Sequence, residues 1–271
     1  MSSDDAIPES VSADTKKPLP AAIKFRAIDY LLGVVFYLAF ISTLIVFEFV
    51  LRLAWLIGGA KNYHLAELAL NRAIKTCLRL VGTKFVVRGE IPAISGPAII
   101  VSNHQSMYDI PIIYTLFARL SPKFVAKQEL GRGVPSVSVN LRYSQALLID
   151  RSDPRKALPA LIKYGRRAAE EGWTVAIFPE GTRSRTGIPG QFRPAGLAAL
   201  MKSMPGAPVI PLAIDGAWCL AARKFGPVPT GTVVTVTVGE PIATTAEDVS
   251  ADEVLARCEQ HVRQCVKTPV K

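Results

Sequence analysis

The sequence predicts an α/β domain, a β-sheet flanked by helices, preceded by an amino-terminal membrane-embedded helical segment. Three observations predict it. Tyr30–Phe47 is a run of eighteen residues without a charge. From residue 84 onward, short β-rich runs alternate with helical patterns, as in α/β domains. Two polar clusters, Asn103–Asp109 and Phe178–Arg185, each follow an apolar run, where such folds place their sites.

Residues 1–22 are polar, rich in Ser, Asp, Pro and Lys, and are expected to be a disordered tail. Their acidic start, and an apolar run that begins late and continues long, do not fit a signal peptide. Residues 23–83 follow as a helical segment. As a helix, Tyr30–Phe47 would reach roughly 27 Å at about 1.5 Å per residue, just short of a hydrocarbon core of about 30 Å. Glu48 and Arg52 interrupt it at a spacing that lets them pair. Gly58-Gly59 is a natural break. Residues 62 to 81 then read as an amphipathic helix, with Arg72, Lys75 and Arg79 on one face and Leu70, Ile74, Cys77 and Val81 on the other. The expectation is a hairpin held in one leaflet, with a single complete span as the alternative. Basic residues on both sides give no clean positive-inside bias.

In residues 84–271, strands are expected at Phe85–Val87, Ala98–Val101, Phe124–Ala126, Ala146–Ile149, Val175–Phe178, Val209–Ile214 and Val233–Val238. Helices are expected near 110–119, 155–171, 193–203 and 247–267. Asp153-Pro154 supplies a cap and first-turn proline, and Gly172 a stop.

The chain has 271 residues, 49% of them hydrophobic, and a formal charge of +10. A basic, apolar chain favours a membrane surface or anionic ligands. It has neither zinc-finger spacing nor an aromatic-basic RNA signature, which argues against nucleic acid. Cys77, Cys219, Cys258 and Cys265 form no CxxC pair and read as reduced core residues, with no metal expected.

His104 is one of three histidines, with His64 and His261. It follows a buried-strand pattern and precedes a helix, and neutral imidazole suits removal of a hydroxyl proton. Asp109 either completes a capping box with Ser106 or itself caps a helix starting at Ile110-Pro111. The proline favours the second. In either case Asp109 sits close enough to orient His104. Ser106 lies two residues from the base, but no G-x-S-x-G elbow occurs, which weakens a covalent serine mechanism. A base without a protein nucleophile points to attack by a substrate hydroxyl. In the second cluster, Gly181 lets backbone N–H groups approach an anion, and Arg183 and Arg185 can hold phosphate. Arg151, ending Ile149-Asp150-Arg151, is a third candidate arginine.

Four blocks in order, NHxxxxD at Asn103–Asp109, LLIDR at Leu147–Arg151, FPEGTRSR at Phe178–Arg185 and VIPLAI at Val209–Ile214, resemble the phospholipid acyltransferases that acylate glycerol phosphates, represented by 1-acyl-glycerol-3-phosphate acyltransferase. The glycine often found before LLIDR is absent here, where Tyr143-Ser144-Gln145-Ala146 stands. The resemblance implies a central mixed sheet flanked by helices. It also implies that His104 takes the proton of the glycerol hydroxyl while Asp109 orients it. The hydroxyl would attack the thioester of acyl-coenzyme A or acyl-carrier protein, turning lysophosphatidic acid into phosphatidic acid at the cytoplasmic face of a membrane. Glu180, Gly181, Thr182 and Arg183 would bind the acceptor's glycerol phosphate, Arg151 would assist, and Lys127 would lie near the oxyanion. No cofactor is implied, because the thioester is already activated. Another lysolipid or amino-acid lipid acceptor is an alternative, as is a serine lipase or thioesterase using Ser106.

Overall fold

The computed structural model describes residues 23–150, 153–223, 226–245 and 249–267. The expected tail at 1–22 and Arg151 lie outside the described residues.

Helix α1 spans Ala27–Leu80 and is broken at Gly58-Gly59, where Gly59 has φ 56°, a left-handed value that favours glycine. The break folds α1 back on itself. Thr43 Oγ1 and Cys77 Sγ meet at 3.5 Å, and Trp55 packs edge-on to Tyr63. The two arms lie side by side, with the turn between them at Gly58-Gly59.

The arms face different surroundings. The second buries Tyr63, Leu70, Ile74, Cys77 and Leu78, so its apolar face is covered by the protein itself. The first exposes Leu31, Val34, Leu38, Ile45, Phe49, Leu53, Leu56 and Ile57. It is nevertheless tied to the domain along its length. Buried Asp29 accepts the Thr230 backbone N–H at 2.8 Å. Phe36 and Phe40 pack edge-on against Tyr108. Glu48 pairs with Arg52 and accepts the Ser136 backbone N–H at 2.6 Å. Trp55 lies on Tyr143, ring centroids 4.9 Å apart.

The remaining elements are β1 (Lys84–Arg88), β2 (Ala98–Ser102), α2 (Asp109–Leu116), β3 (Lys123–Lys127), α3 (Val137–Tyr143), β4 (Leu147–Ile149), α4 (Pro154–Glu170), β5 (Thr174–Ile177), α5 (Pro194–Ser203), β6 (Val209–Asp215), β7 (Val233–Val238) and α6 (Ala251–Cys265). Among the described residues the strands form one seven-stranded sheet of order β1-β7-β6-β2-β5-β3-β4. It is mixed: β6 pairs antiparallel with β7, and the other neighbours are parallel. The short helix α3 is not among the expected elements, because seven residues in a Gly-Pro-Ser context carry too few turns to show a period.

Strand β2 is buried at every position, as a central parallel strand covered on both faces must be. Its alternate residues feed two cores. Ala98 and Ile100 join α1 and α2, while Ile99 and Val101 join residues of α4, α5 and α6. The sheet is thus the middle of three layers. Register sets the site. Val101 pairs with Ile177, and Ser102 with Leu212, so the chain leaving β2 emerges between the carboxyl ends of β5 and β6.

Candidate active site

His104 follows β2, and its ring is held from three directions. Nδ1 lies 2.7 Å from Asp109 Oδ2. One face stacks on Phe178, centroids 4.1 Å apart and planes 16° apart. Nε2 lies 3.3 Å from Arg183 Nε. Arg183 can only donate, so Nε2 carries a lone pair and the ring proton sits on Nδ1, directed at Asp109. The hydrogen-bond network assigns this tautomer, and it is the one a general base needs.

Asp109 is fully buried at the start of α2. Its Oδ2 also accepts the backbone N–H groups of Gln105 and Ser106, at 2.7 and 2.9 Å, and its Oδ1 accepts the Ser106 hydroxyl at 3.2 Å. The reading in which Asp109 itself caps the helix is corrected. Asp109 is the first helical residue and reaches backward, closing the loop that carries His104. The Ser106 hydroxyl, fully buried, receives the Tyr108 backbone N–H at 3.1 Å. It is spent on loop architecture, bonded to Asp109 and Tyr108 rather than to the imidazole.

The second cluster follows β5. The resemblance implies that Glu180 helps hold the acceptor's phosphate; in the structure its partners are backbone groups of the protein. The side chain is 5% exposed, and its oxygens accept the backbone N–H of His104 at 2.7 Å and of Gly190 at 2.6 Å. A buried carboxylate with both oxygens engaged would also repel a phosphate. Glu180 instead bolts the two loops together. Burial pushes its carboxyl above the usual range and nearby Asp109 adds to this, against the pull of the two N–H groups. Gly181 has φ 70° and spends its N–H on Phe178 O at 3.0 Å, so it makes the turn rather than offering that N–H to an anion. Thr182, Arg183 and Arg185 are exposed. The Ser184 backbone N–H bonds His104 O at 2.7 Å, which brings Arg183 onto the imidazole. Lys127 is exposed at the end of β3. It lies on the same sheet edge as His104, with β5 between their strands.

Two residues without an assigned role prove structural to the site. Asn103 is fully buried and acts as an extra peptide unit. Its amide nitrogen donates to Ile214 O and its oxygen accepts Ile214 N–H, both at 2.8 Å. Gln105, also buried, donates to Gly187 O at 3.2 Å and accepts Trp218 N–H at 3.3 Å. Together they knit the loops after β2, β5 and β6. Both lie in the block the sequence singles out, but a buried amide leaves no periodic signal.

A family model described as Acyltransferase matches residues 77–215. The chain belongs to the Acyltransferase family. The match covers β1 to β6 and both loops of the site. Among curated relatives, 1-acyl-sn-glycerol-3-phosphate acyltransferase of Pseudomonas aeruginosa is 37% identical over 134 residues, 49% of this chain and 50% of that one. The protein of the same name from Saccharomyces cerevisiae is 28% identical over 210 residues, 76% of this chain and 66% of that one. The chain spans about half the length of the first curated relatives it matches. Among solved structures, the 1-acyl-sn-glycerophosphate (LPA) acyltransferase PlsC from Thermotoga maritima superposes with a TM-score of 0.71 at 28% identity. The superposition covers 88% of this chain and 94% of that one.

Proposed function

We propose that this acyltransferase moves an acyl group from a thioester donor to the 2-hydroxyl of a 1-acyl-glycerol-3-phosphate, giving phosphatidic acid. The observation that carries the reading is the alignment of three side chains. Asp109 holds the proton of His104 on Nδ1, Nε2 keeps the lone pair of a base, and the Arg183 guanidinium donates to it at 3.3 Å. A base beside an anion receptor is what a hydroxyl-bearing phosphate monoester needs. The acceptor oxygen attacks the thioester carbonyl while Nε2 takes its proton. The carbon–sulfur bond then breaks, and the thiolate leaves as thiol with that proton. Thr182 and Lys127 are retained as candidate contacts, to acceptor and oxyanion respectively. The donor, acyl-coenzyme A or acyl-carrier protein, is a co-substrate, and the step uses no cofactor.

The direct-transfer reading is favoured over a serine hydrolase because the Ser106 hydroxyl is directed at Asp109 and Tyr108. Another lysolipid acceptor is the second reading. Lysophospholipid acyltransferase LPCAT4 of Xenopus tropicalis is 29% identical over 181 residues.

The protein works on a membrane surface. The first arm of α1 contains a run of mean hydropathy 2.4 that is 17% buried. Ties at Asp29, Phe36, Glu48 and Trp55 fasten that arm to the domain from end to end. These ties favour a hairpin lying in one leaflet over a complete span, and we place that leaflet on the cytoplasmic side, where the water-soluble donor arrives. The test is a panel of labelled lysolipids offered with each donor to protein in vesicles. Lysophosphatidic acid is expected to be acylated most rapidly, and a clear preference for a zwitterionic lysolipid would overturn the acceptor assignment.

A further inference from the structure

We infer that Arg183 is a latch on His104 which the acceptor's phosphate releases, so that acceptor binding and unmasking of the base are one event. This rests on the acyl-transfer reading above and adds a coupling to it.

With its proton on Nδ1, the imidazole has a single in-plane lone pair, on Nε2. The Arg183 N–H is directed at it from 3.3 Å. Asp109 holds the other nitrogen and Phe178 covers a face of the ring. The side chain is 10% exposed, so its approaches are few. An attacking hydroxyl must place its proton on the same lone pair that Arg183 occupies. The two contacts exclude one another, and catalysis therefore requires Arg183 to withdraw.

The local structure lets the side chain move while its backbone stays. Glu180 and the Ser184 N–H fasten the loop to His104 on either side of Arg183. The Arg183 side chain itself is exposed, and no ion pair joins it to a carboxylate among the described residues. Its partner is a neutral ring nitrogen at a long distance. A phosphate offers a charge-assisted, two-point contact to the same guanidinium, which is the stronger bond. The phosphate therefore takes Arg183, and Nε2 is freed as the acceptor hydroxyl arrives.

The coupling protects the donor. An unmasked base could take a proton from water, whose oxygen would attack the thioester carbonyl. The carbon–sulfur bond would break, and the thiolate would leave with the proton from His104, wasting the donor as free acid. A latched base cannot begin this sequence until a phosphate is present.

The test uses the full chain and reads His104 directly. Diethyl pyrocarbonate modifies an imidazole only through a free ring nitrogen, and site-resolved mass spectrometry separates His104 from His64 and His261. In the wild type, His104 should be modified slowly. Arg183→Ala should raise that rate at least several-fold, and inorganic phosphate should raise it in the wild type but not in the variant, at ionic strength matched with chloride. Acyl-coenzyme A hydrolysis without acceptor should rise in parallel. A wild-type rate equal to that of Arg183→Ala, or indifferent to phosphate, overturns the latch, as does hydrolysis no faster in the variant. The modification assay needs no acyl transfer. A latch signature in a protein that fails to acylate lysophosphatidic acid would therefore sink the functional reading alone, and transfer without the signature would sink the latch alone.

Discussion

Asp109 Oδ2 meets His104 Nδ1 at 2.7 Å while accepting two backbone N–H groups of the intervening loop. One carboxylate thus sets both the tautomer of the base and the shape of the loop that carries it. Asp109→Asn keeps the size and one acceptor oxygen but removes the charge that stabilises the imidazolium. Its kcat should fall, by less than the loss from removing the imidazole, with the circular dichroism spectrum unchanged. An unaltered kcat would show that Asp109 serves the loop alone.

Arg183→Ala should raise the acceptor KM roughly tenfold or more, the scale of a lost charge-assisted contact, and leave donor affinity nearly unchanged. Steady-state kinetics with each substrate varied separately give the answer. A variant weakened only toward the donor would move the phosphate site away from the loop after β5.

Asn103→Ala should unfold more easily. It strands the N–H and C=O of Ile214, both bonded at 2.8 Å, and each buried orphan costs about 1–3 kcal/mol. A loss on the order of 2–6 kcal/mol in urea is expected. Native stability in the variant would mean that the loops after β2 and β6 hold without the amide.

Glu180 carries a pH signature. Burial raises its carboxyl above the ordinary value of 4.5, so the folded state holds the proton more tightly than the unfolded one. The stability it contributes is fully present below pH 4.5 and is lost as pH rises through the folded value. The urea midpoint of the wild type relative to Glu180→Gln should therefore decline as pH increases from 4.5. A difference that grows with pH would mean that the two N–H groups outweigh burial.

The first arm of α1 should act through its exposed apolar residues. Leu56 and Ile57 are 79% and 72% exposed, and burying each such side chain in lipid is worth about 1.5–3 kcal/mol. Leu56→Glu with Ile57→Glu should weaken vesicle binding on the order of a hundredfold while the sheet stays folded. Cosedimentation with anionic vesicles measures it, and unchanged binding would place the lipid contact elsewhere.

The layout was legible wherever a period or a motif carried it. Ala98–Val101 and Val209–Ile214 read as strands because a central strand is apolar throughout, and Gly58-Gly59 announced the hairpin because glycine alone marks such a break. What stayed hidden depends on contacts between distant segments. Glu180 reads as a polar site residue in its motif, and only the pairing of β2 with β5 brings its carboxylate under the His104 N–H. Asn103 meets Ile214 from 111 residues away. Asp109 sits one helical position from the cap that its neighbouring proline suggests, because its bonds run back to the loop rather than forward to the helix. The second arm of α1 reads as a basic amphipathic helix facing lipid, yet its apolar face is covered from within. It also carries buried Glu67, bonded to Tyr114 at 2.6 Å, which no sequence period reveals.

The most direct test follows phosphatidic acid formation from labelled lysophosphatidic acid and acyl-coenzyme A in vesicles, comparing wild type with His104→Ala. The wild type should produce phosphatidic acid. The variant, folded and bound to the same vesicles, should be slower by about a hundredfold or more, as expected for loss of a general base. Near-normal turnover by His104→Ala would contradict the account, because the Asp109–His104–Arg183 arrangement would then not be the centre of the reaction.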